Sequence, residues 1–407
     1  RFEQFNFGTV NYIIFVDGVN KAVIYDGTTW KVMDAASAGG SGDPGGNQII
    51  DDPVVITVFK NHIFLAKGAI ISYSAPEDPF TWTVAAGGGQ MIFPEDVVNI
   101  KPFRDQLYVW GTGRIKSIAG FVDSNGDNSG FLFNEVTSNL GCVARDSVIE
   151  VAGSLLFLSS DGIRPIAGTD RNNDIELNLL TQDIQKFMID AIDVYDMSEL
   201  VAVSIRNKTQ FRYFFSDEID PVTSSKGLIG CYRQRGLNGA KWEFSELHGM
   251  RASCAWSGVV DAAEIVLHGD YSGKVYMQET GNNFDGENIL AVYITPYLDF
   301  GDPEIRKKLR KLNIFIKPEG SLVMNTGLRF DWGDIDVIYP DDYAGIRAAA
   351  SPTYGSTYKY DDGSVYGGSQ KNKISINIQG SCFSVRFSFV TDGTYNPYII
   401  QGFVPEF

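Results

Sequence analysis

The sequence predicts an all-β fold, a six-bladed β-propeller followed by a C-terminal β-sandwich-like domain. An apolar run, a turn at Gly or Asp and a second apolar run recur at intervals of roughly 45 to 65 residues, the period of a four-stranded propeller blade. The 43 glycines are spread along the whole chain, as frequent tight turns require. After about residue 293 this repeat stops, and longer, cleanly alternating strands begin.

The six copies of the repeat each predict a β-hairpin, because alternation with a period of two meets a short turn. They are YIIFVDGVNKAVIYDG from Tyr12, HIFLAKGAIISYSA from His62, LYVWGTGRIKSIAG from Leu107, LLFLSSDGIRPIAG from Leu155, LVAVSIRNKTQFRYFFS from Leu200 and EIVLHGDYSGKVYMQE from Glu264. VVITVFKN, VVNIKPFRD and DSVIEVAGS predict the strands that precede three of these hairpins.

Two stretches, YDGTTWKV and YSAPEDPFTWTV, are so alike that we interpret them as equivalent parts of two blades. TTWKV, FTWTV and KWEF are predicted to be the last strands of successive blades. Their tryptophans Trp30, Trp82 and Trp242 are expected to pack between adjacent blades, because large aromatic side chains usually belong to the core. Stacking on a ligand is the alternative.

One helix is predicted, as a small insertion near residues 179–192, within the segment LLTQDIQKFMIDAI. It is expected to lie against the propeller, and a partner-binding helix is the alternative. Its apolar face consists of Leu180, Ile184, Phe187, Met188 and Ile192.

Residues 1–292 are assigned to the propeller and residues 293–407 to the sandwich, with TPYLDFGDPE as the predicted boundary segment. Four alternating apolar sets predict its strands: Leu312, Ile314 and Ile316; Leu328, Phe330 and Trp332; Ile374, Ile376 and Ile378; Val385, Phe387 and Phe389. Two other segments predict loops. DAASAGGSGDPGGN, residues 34–47, has the composition of a flexible surface loop, and YAGIRAAASPTYGSTYKYDDGSVYGGS predicts an exposed contact arm.

Composition limits the classes of function. Acidic residues outnumber basic ones by 50 to 34, and a formal charge of −16 disfavours general binding to a phosphate backbone. The four cysteines, Cys142, Cys231, Cys254 and Cys382, are far apart and predict buried free thiols. No apolar run is long enough to cross a bilayer, and the first residue is Arg1, so a preceding piece of chain is expected.

The sequence predicts no enzyme and no catalytic, cofactor or metal site. The three histidines, His62, His248 and His268, never occur at metal-ligand spacing and are interpreted as strand or turn residues. GTGRIKSIAG fails as a dinucleotide loop because Lys116 stands where the third glycine belongs. The S-x-D-x-G-x-x-W box of many glycan-cleaving propellers is not found.

Two polar turns match only the first three ligand positions of a calcium loop, so an ordinary turn is favoured over an EF-hand. The residues concerned are Asp123, Asn125 and Asp127 in the first turn and Asp170, Asn172 and Asp174 in the second.

A basic cluster in EIRKKLRKLNIFIK is the candidate site for contact between subunits. Its members are Arg306, Lys307, Lys308, Arg310 and Lys311. In so acidic a protein such a cluster can dock onto the negative surface of a neighbouring subunit. A solvated edge strand protected by lysines and direct contact with DNA are the alternatives.

Two stretches resemble the propeller of tail nozzle proteins, the tail tubular protein B group of short-tailed, podovirus-type bacteriophages. They are VVNIKPFRDQLYVWGTGRIKSIAG and GCVARDSVIEVAGSLLFLSSDGIRPIAG. TPYLDFG, RKKLRKLNIFIKP and YIIQGFVPEF resemble the C-terminal part of those proteins, and RFEQFNFG resembles the end of their N-terminal segment. The resemblance covers most of the chain but rests on structural patterns rather than catalytic residues.

The resemblance implies a homohexameric ring beneath the head-tail adaptor, forming the distal tail tube or nozzle through which the genome leaves. Expected partners are further copies of the chain, the adaptor and other tail proteins. Viral DNA would pass through without sequence-specific binding, and the location would be the virion tail after assembly in the host cytoplasm. The net negative charge suggests the further hypothesis that carboxylates facing the lumen repel the phosphates.

Two classes of function therefore remain. A structural subunit predicts rings and no effect of small substrates, whereas a glycan-binding or glycan-cleaving propeller predicts acids and aromatics converging at its central mouth.

Overall fold

The computed structural model describes residues 1–8, 10–33, 48–122, 128–166, 179–215, 226–234, 240–318, 322–333, 342–347, 373–394 and 397–407. The chain forms two compact units, Arg1–Gln278 and Glu279–Phe407. The division comes earlier than the predicted 292/293, since that position lies inside the strand Ile289–Ile294, which pairs within the second unit.

The first unit is a six-bladed β-propeller, and each blade is an antiparallel sheet with its strands in chain order. Blade 1 contains β1 (Phe2–Phe7), β2 (Val10–Phe15), β3 (Val23–Tyr25) and β4 (Trp30–Val32); blade 2 contains β5 (Val55–Phe59), β6 (His62–Lys67), β7 (Ile70–Tyr73) and β8 (Gly89–Ile92). Blade 3 contains β9 (Asn99–Phe103), β10 (Gln106–Trp110), β11 (Ile115–Val122) and β12 (Asn128–Thr137); blade 4 contains β13 (Ile149–Val151), β14 (Ser154–Ser159) and β15 (Gly162–Pro165). Blade 5 contains β16 (Val201–Ile205), β17 (Gln210–Phe215), β18 (Lys226–Gln234) and β19 (Ala240–His248); blade 6 contains β20 (Cys254–Val260), β21 (Ala263–Gly269) and β22 (Val275–Met277).

Short turns hold the first two strands of several blades in register. Lys60 and Asn61 both have positive φ between the paired residues Phe59 and His62, as a two-residue type I′ hairpin requires. The same geometry recurs in blades 4 and 6 at residues 152–153 and 261–262. The same two-residue turn therefore joins the first and second strands in three of the six blades.

Five buried apolar clusters each contain residues of two successive blades. One pair of residues from each cluster illustrates the joint: Ile14 with Ile63, Phe64 with Val109, Trp110 with Phe157, Leu158 with Tyr213, and Phe214 with Val266. These joints connect blades 1 to 2, 2 to 3, 3 to 4, 4 to 5 and 5 to 6. Among the described residues no such cluster joins blade 6 to blade 1.

The prediction that the three tryptophans lie in the last strand of a blade is correct for Trp30 and Trp242 but wrong for Trp82. Trp82 lies in the loop before β8, fully buried, and its cluster joins blades 1 and 2, as expected of an inter-blade side chain. Gly88 passes so close that a Cβ there would lie 2.8 Å from the Trp82 carbonyl carbon. No larger residue fits at that position.

The two similar stretches share a turn rather than a strand. The Thr29 hydroxyl donates to Asp26 Oδ2 at 2.7 Å, and the Thr81 hydroxyl donates to Asp78 Oδ2 at 2.6 Å. In each stretch the aspartate also accepts a backbone N–H two residues on, which is the Asx-turn geometry. The pattern D-x-x-T-W thus encodes one local turn, and tertiary packing decides whether a strand or a loop comes next.

One further expectation needs correction. The fifth copy of the repeat, from Leu200, covers the first and second strands of its blade, whereas the other copies cover the second and third. The opening RFEQFNFG contains β1, the first strand of blade 1, which pairs with β2 along its whole length.

The predicted helical insertion is present as a 3-10 turn, Gln182–Ile184, followed by α1 (Gln185–Val194). Met188 and Ala191 are buried in the cluster that also contains residues of blades 4 and 5. The helix therefore packs against the propeller, as predicted.

The second unit is sandwich-like, with one sheet in the order β23 (Ile289–Ile294), β28 (Val385–Gly393), β25 (Leu322–Phe330), β26 (Tyr343–Arg347) and the other in the order β27 (Lys373–Cys382), β24 (Lys307–Pro318), β29 (Tyr398–Glu406). One core contains the predicted inward residues of both sheets, such as Ile314 and Phe387. Trp332 is the exception, because it lies 62% exposed in a tight turn with φ of 58°.

Three expectations lie partly or wholly outside the described residues. They concern the loop at 34–47, most of the predicted contact arm, and both candidate calcium turns, whose ligand positions are Asp123, Asn125, Asp127, Asp170, Asn172 and Asp174.

Candidate interaction surfaces

The basic cluster lies at the start of β24. Arg306, Lys308 and Arg310 are exposed, and Lys307 and Lys311 are half-buried. The Arg306 guanidinium lies over the Phe383 ring, 5.0 Å from its centre. Lys307 Nζ donates to the carbonyl oxygens of Asp302 and Phe383, the latter at 3.4 Å. Within the part of the chain that the structure describes, none of the five forms an ion pair, so their charge is available to a partner.

β24 is the middle strand of its sheet, so the alternative of a solvated edge strand is wrong for the strand as a whole. Only the residues before Lys311 lack a partner on the β29 side in the described pairing. A register shift between Leu309 and Lys311 allows Leu309 and Leu312 both to be buried, with the exposed Arg310 between them. The bulge thus concentrates cationic side chains on the outer surface.

Blade 1 presents one apolar face to solvent, which we call the blade-1 face. In the sheet register Phe15 lies opposite Phe2 and Val23, and Tyr25 lies opposite Ile13 and Trp30. These rows occupy one side of the sheet because opposite residues in a ladder point the same way. Four of the side chains on this side are exposed, from 37% for Phe15 to 61% for Trp30, whereas Ile13 and Tyr25 are half-buried. The blade-1 face consists of Phe2, Ile13, Phe15, Tyr25, Trp30 and Val32.

Among the described residues, the rings of the blade-1 face contact one another. Trp30 stacks on Tyr25 with ring centres 4.5 Å apart, and it lies 5.5 Å from Phe15. Phe15 in turn lies 6.0 Å from Phe2. The result is a continuous aromatic surface across all four strands.

Blade 6 presents an equivalent surface, the blade-6 face. Trp256 lies opposite Leu267, which lies opposite Met277, so the three form one row. The Trp256 indole covers Gly258, where a Cβ would approach it to 2.2 Å. Met277 is 53% exposed and Val275 is 72% exposed. The blade-6 face consists of Trp256, Val260, Ile265, Leu267, Val275 and Met277.

The opposite side of blade 6 is covered by blade 5. Val266 is buried in their shared cluster, and the His268 ring stacks on Phe214 with ring centres 6.3 Å apart. The Glu264 carboxylate accepts the backbone N–H groups of Arg206 and Asn207 at 2.7 and 2.9 Å. One side of blade 6 is therefore buried against blade 5, and the other side is exposed to solvent.

A polar contact links the starts of four blades. The Arg1 side chain pairs with Asp146, just before β13, and donates to the Val54 carbonyl at 3.4 Å. Arg145 donates to the carbonyl oxygen of Val98 at 3.1 Å. The arrangement ties the first strands of these blades together.

The histidines lie where they were predicted, in strands. His62 Nδ1 lies 2.6 Å from the Ser74 carbonyl oxygen, so this nitrogen carries a proton and donates. Burial lowers the pKa of His62, and the bond to Ser74 opposes that shift. Burial also lowers the pKa of His268, so both rings are held neutral near pH 7.

All four cysteines are free, but the expectation that all are buried is wrong for Cys254, which is exposed. Among the described residues, no group of three His, Cys, Asp or Glu side chains could hold a metal ion. The helices in these residues are too short or too polar to cross a bilayer.

No protein-family model and no curated protein matches the chain. Among solved structures, Kluyveromyces lactis Hsv2 covers 60% of this chain and 84% of its own, with 11% identity and a TM-score of 0.29. A Bacillus subtilis glycoside hydrolase family 43 arabinoxylan arabinofuranohydrolase, in complex with cellotetraose, covers 100% of this chain and 78% of its own, with 9% identity and a TM-score of 0.24. Likenesses this distant say nothing about function.

Sequence reasoning singled out the basic cluster and missed both apolar faces. The strands of a blade between two other blades are apolar on both sides, because both sides are buried in joints. An apolar face that is exposed on the isolated subunit therefore has the same sequence pattern as one that is buried in a joint. One signal was available: the first and last blades each have a neighbour along the chain on one side only, so their other sides are covered only if blade 6 packs on blade 1 or another molecule packs on them.

Proposed function

We propose that this chain is a structural subunit of the tail of a short-tailed bacteriophage. It would form the distal tail tube or nozzle ring below the head-tail adaptor and conduct or gate the genome during ejection. The observation that carries the proposal is the pair of apolar sheet faces, which are exposed on the isolated subunit at both ends of the propeller.

Large exposed apolar surfaces on a folded chain mark contacts with other macromolecules. Both faces carry mostly aromatic and aliphatic side chains, a surface that suits another protein better than a polar small ligand. The basic cluster at the start of β24 adds a charged surface, and a chain of net charge −16 gives every further copy a complementary acidic one. These features support a self-associating building block.

The assignment to a phage tail rests in addition on the resemblance of the propeller and C-terminal stretches to the tail nozzle proteins. In that setting an overall acidic chain suits a DNA conduit, since it disfavours binding of the passing phosphates.

The test is to purify the chain and measure its mass by light scattering over a wide range of concentrations, then to image the largest species by electron microscopy. We expect closed rings with six-fold symmetry that do not bind duplex DNA at physiological salt. A chain that stays monomeric at every concentration, or one that binds oligosaccharides, would contradict the proposal and favour the glycan-binding alternative.

A further inference from the structure

We propose that the blade-1 face and the blade-6 face are the two halves of one contact between successive copies of this chain. This inference rests on the proposed function, because it names the interface by which the ring subunits associate.

The two faces have the chemistry of the five joints that the chain makes internally. In those joints, apolar sheet faces pack on each other in buried clusters such as the one containing Trp110 and Phe157. By the register of the strands, neither exposed face carries a charged side chain: Glu3 and Lys31 lie on the other side of blade 1, and Glu264 lies on the other side of blade 6. Packing them together therefore buries no unpaired charge.

The area agrees with an interface between subunits. With side chains of about 150–250 Å² and the exposed fractions found here, each face offers on the order of 400 Å² of apolar surface. The two together reach roughly 800 Å², which is what an interface of about 1,200–1,600 Å² contains when some 60% of it is apolar.

The occupant is a second copy rather than the same chain, because the isolated subunit leaves both faces in water although they belong to one propeller. The faces differ from each other, so a contact between them is heterologous, from blade 6 of one copy to blade 1 of the next. Heterologous contacts propagate from copy to copy and close into rings, as the proposed function requires.

The test uses one glutamate on each face. Trp30→Glu disables the blade-1 face and Met277→Glu disables the blade-6 face; both side chains are more than half exposed, so folding should be preserved. Each variant alone should associate at least about 30-fold more weakly than the wild type. Ile92→Glu, at a 74% exposed position on β8, is the matched control and should assemble normally.

Mixing the two variants decides between the possible contacts. Met277→Glu keeps an intact blade-1 face and Trp30→Glu keeps an intact blade-6 face, so an equimolar mixture should form a heterodimer and stop there. Variants that still assemble like the wild type would overturn the inference while leaving the proposed ring intact. A wild type that is monomeric throughout would overturn both.

A cross-linking experiment separates contact between copies from closure within one chain. Phe15→Cys places a thiol on the blade-1 face, and Cys254 supplies an exposed thiol on β20. A short bis-maleimide should give a ladder of linked chains, whereas a single internally linked chain would overturn the inference. Val275→Glu serves as a second blade-6 variant if Met277→Glu does not fold.

Discussion

The Arg1 guanidinium donates two hydrogen bonds to the Asp146 carboxylate, from Nη2 to Oδ2 at 2.5 Å and from Nε to Oδ1 at 3.1 Å. The pair connects the start of blade 1 to the start of blade 4, across 145 residues of the chain. Two-point geometry makes such a pair stronger than a single contact, but both side chains remain more than a third exposed, so solvent screens it.

Asp146→Asn should therefore lower the free energy of unfolding by at most about 1 kcal/mol. The loss should shrink in 1 M salt, since salt screens partly exposed charges. Urea unfolding at low and high salt measures both effects. Asp190→Asn is the control, because the Lys186–Asp190 pair at 3.9 Å is far more exposed and should contribute nothing measurable. If both variants lose the same free energy of unfolding, the Arg1–Asp146 pair stabilises the propeller no more than an ordinary exposed ion pair does.

Trp82 and Trp30 follow the same D-x-x-T-W turn yet should differ greatly in their contribution to stability. Trp82→Ala removes a fully buried indole between blades 1 and 2, together with its hydrogen bond to the Pro79 carbonyl, and should cost about 3–5 kcal/mol. Trp30→Ala, at an exposed position, should cost less than about 1 kcal/mol.

Both variants should be unfolded with denaturant at low protein concentration, where association does not contribute to the measured stability. Similar losses for the two tryptophans would mean that the exposed blade-1 face is covered within the subunit. That result would also count against the proposed contact between copies.

The architecture could be predicted from the sequence because it depends on local patterns. Hairpins such as Phe59–His62 are specified by two adjacent residues with positive φ and by alternation on either side. The alternating sets around Ile314 and Phe387 likewise require one buried face each, and both are found in the shared core.

The wrong predictions have a common cause: a local sequence pattern does not specify which part of the fold, or which other molecule, packs against it. The fifth copy has the same order of apolar run, turn and apolar run as the others, so its sequence does not show that the turn at Arg206–Lys208 joins the first and second strands of its blade. Trp82 and Trp30 share a turn, but only packing against blade 1 buries Trp82. The exposed faces could not be distinguished from joints, because whether Trp256 is covered depends on a partner that the sequence of one chain does not describe.

The cysteines predict a simple chemical readout. Burial raises the pKa of the Cys142 thiol to about 11, and burial likewise raises that of Cys382 to about 11, so neither forms the reactive thiolate near pH 8. Cys231 is buried as well, whereas Cys254 is exposed. Native protein in dilute solution should therefore show one fast-reacting thiol with a chromogenic disulfide reagent.

Cys254→Ser should abolish that fast phase, and denaturant should release the remaining thiols. If a fast phase persists in Cys254→Ser, another cysteine is accessible and the core around it opens readily. In assembled wild type the reaction of Cys254 should slow, because the proposed contact covers β20.

Acid should weaken the first blade through Asp17. The Asn20 side chain and the backbone N–H groups of Asn20 and Val19 donate to its carboxylate, and they lower its pKa from 3.8 to about 2. A folded-state pKa below the unfolded value means that the stabilisation is complete above about pH 4 and is lost as the pH falls toward 2. Asp17→Asn removes the titrating group, so its stability should decline less steeply than that of the wild type across this window.

Thermal unfolding at half-unit pH steps measures the two slopes, with Asp193→Asn on the exposed side of α1 as the control. Parallel slopes in Asp17→Asn and the wild type would mean that the turn before Val19 does not hold its carboxylate as tightly in solution as these hydrogen bonds require.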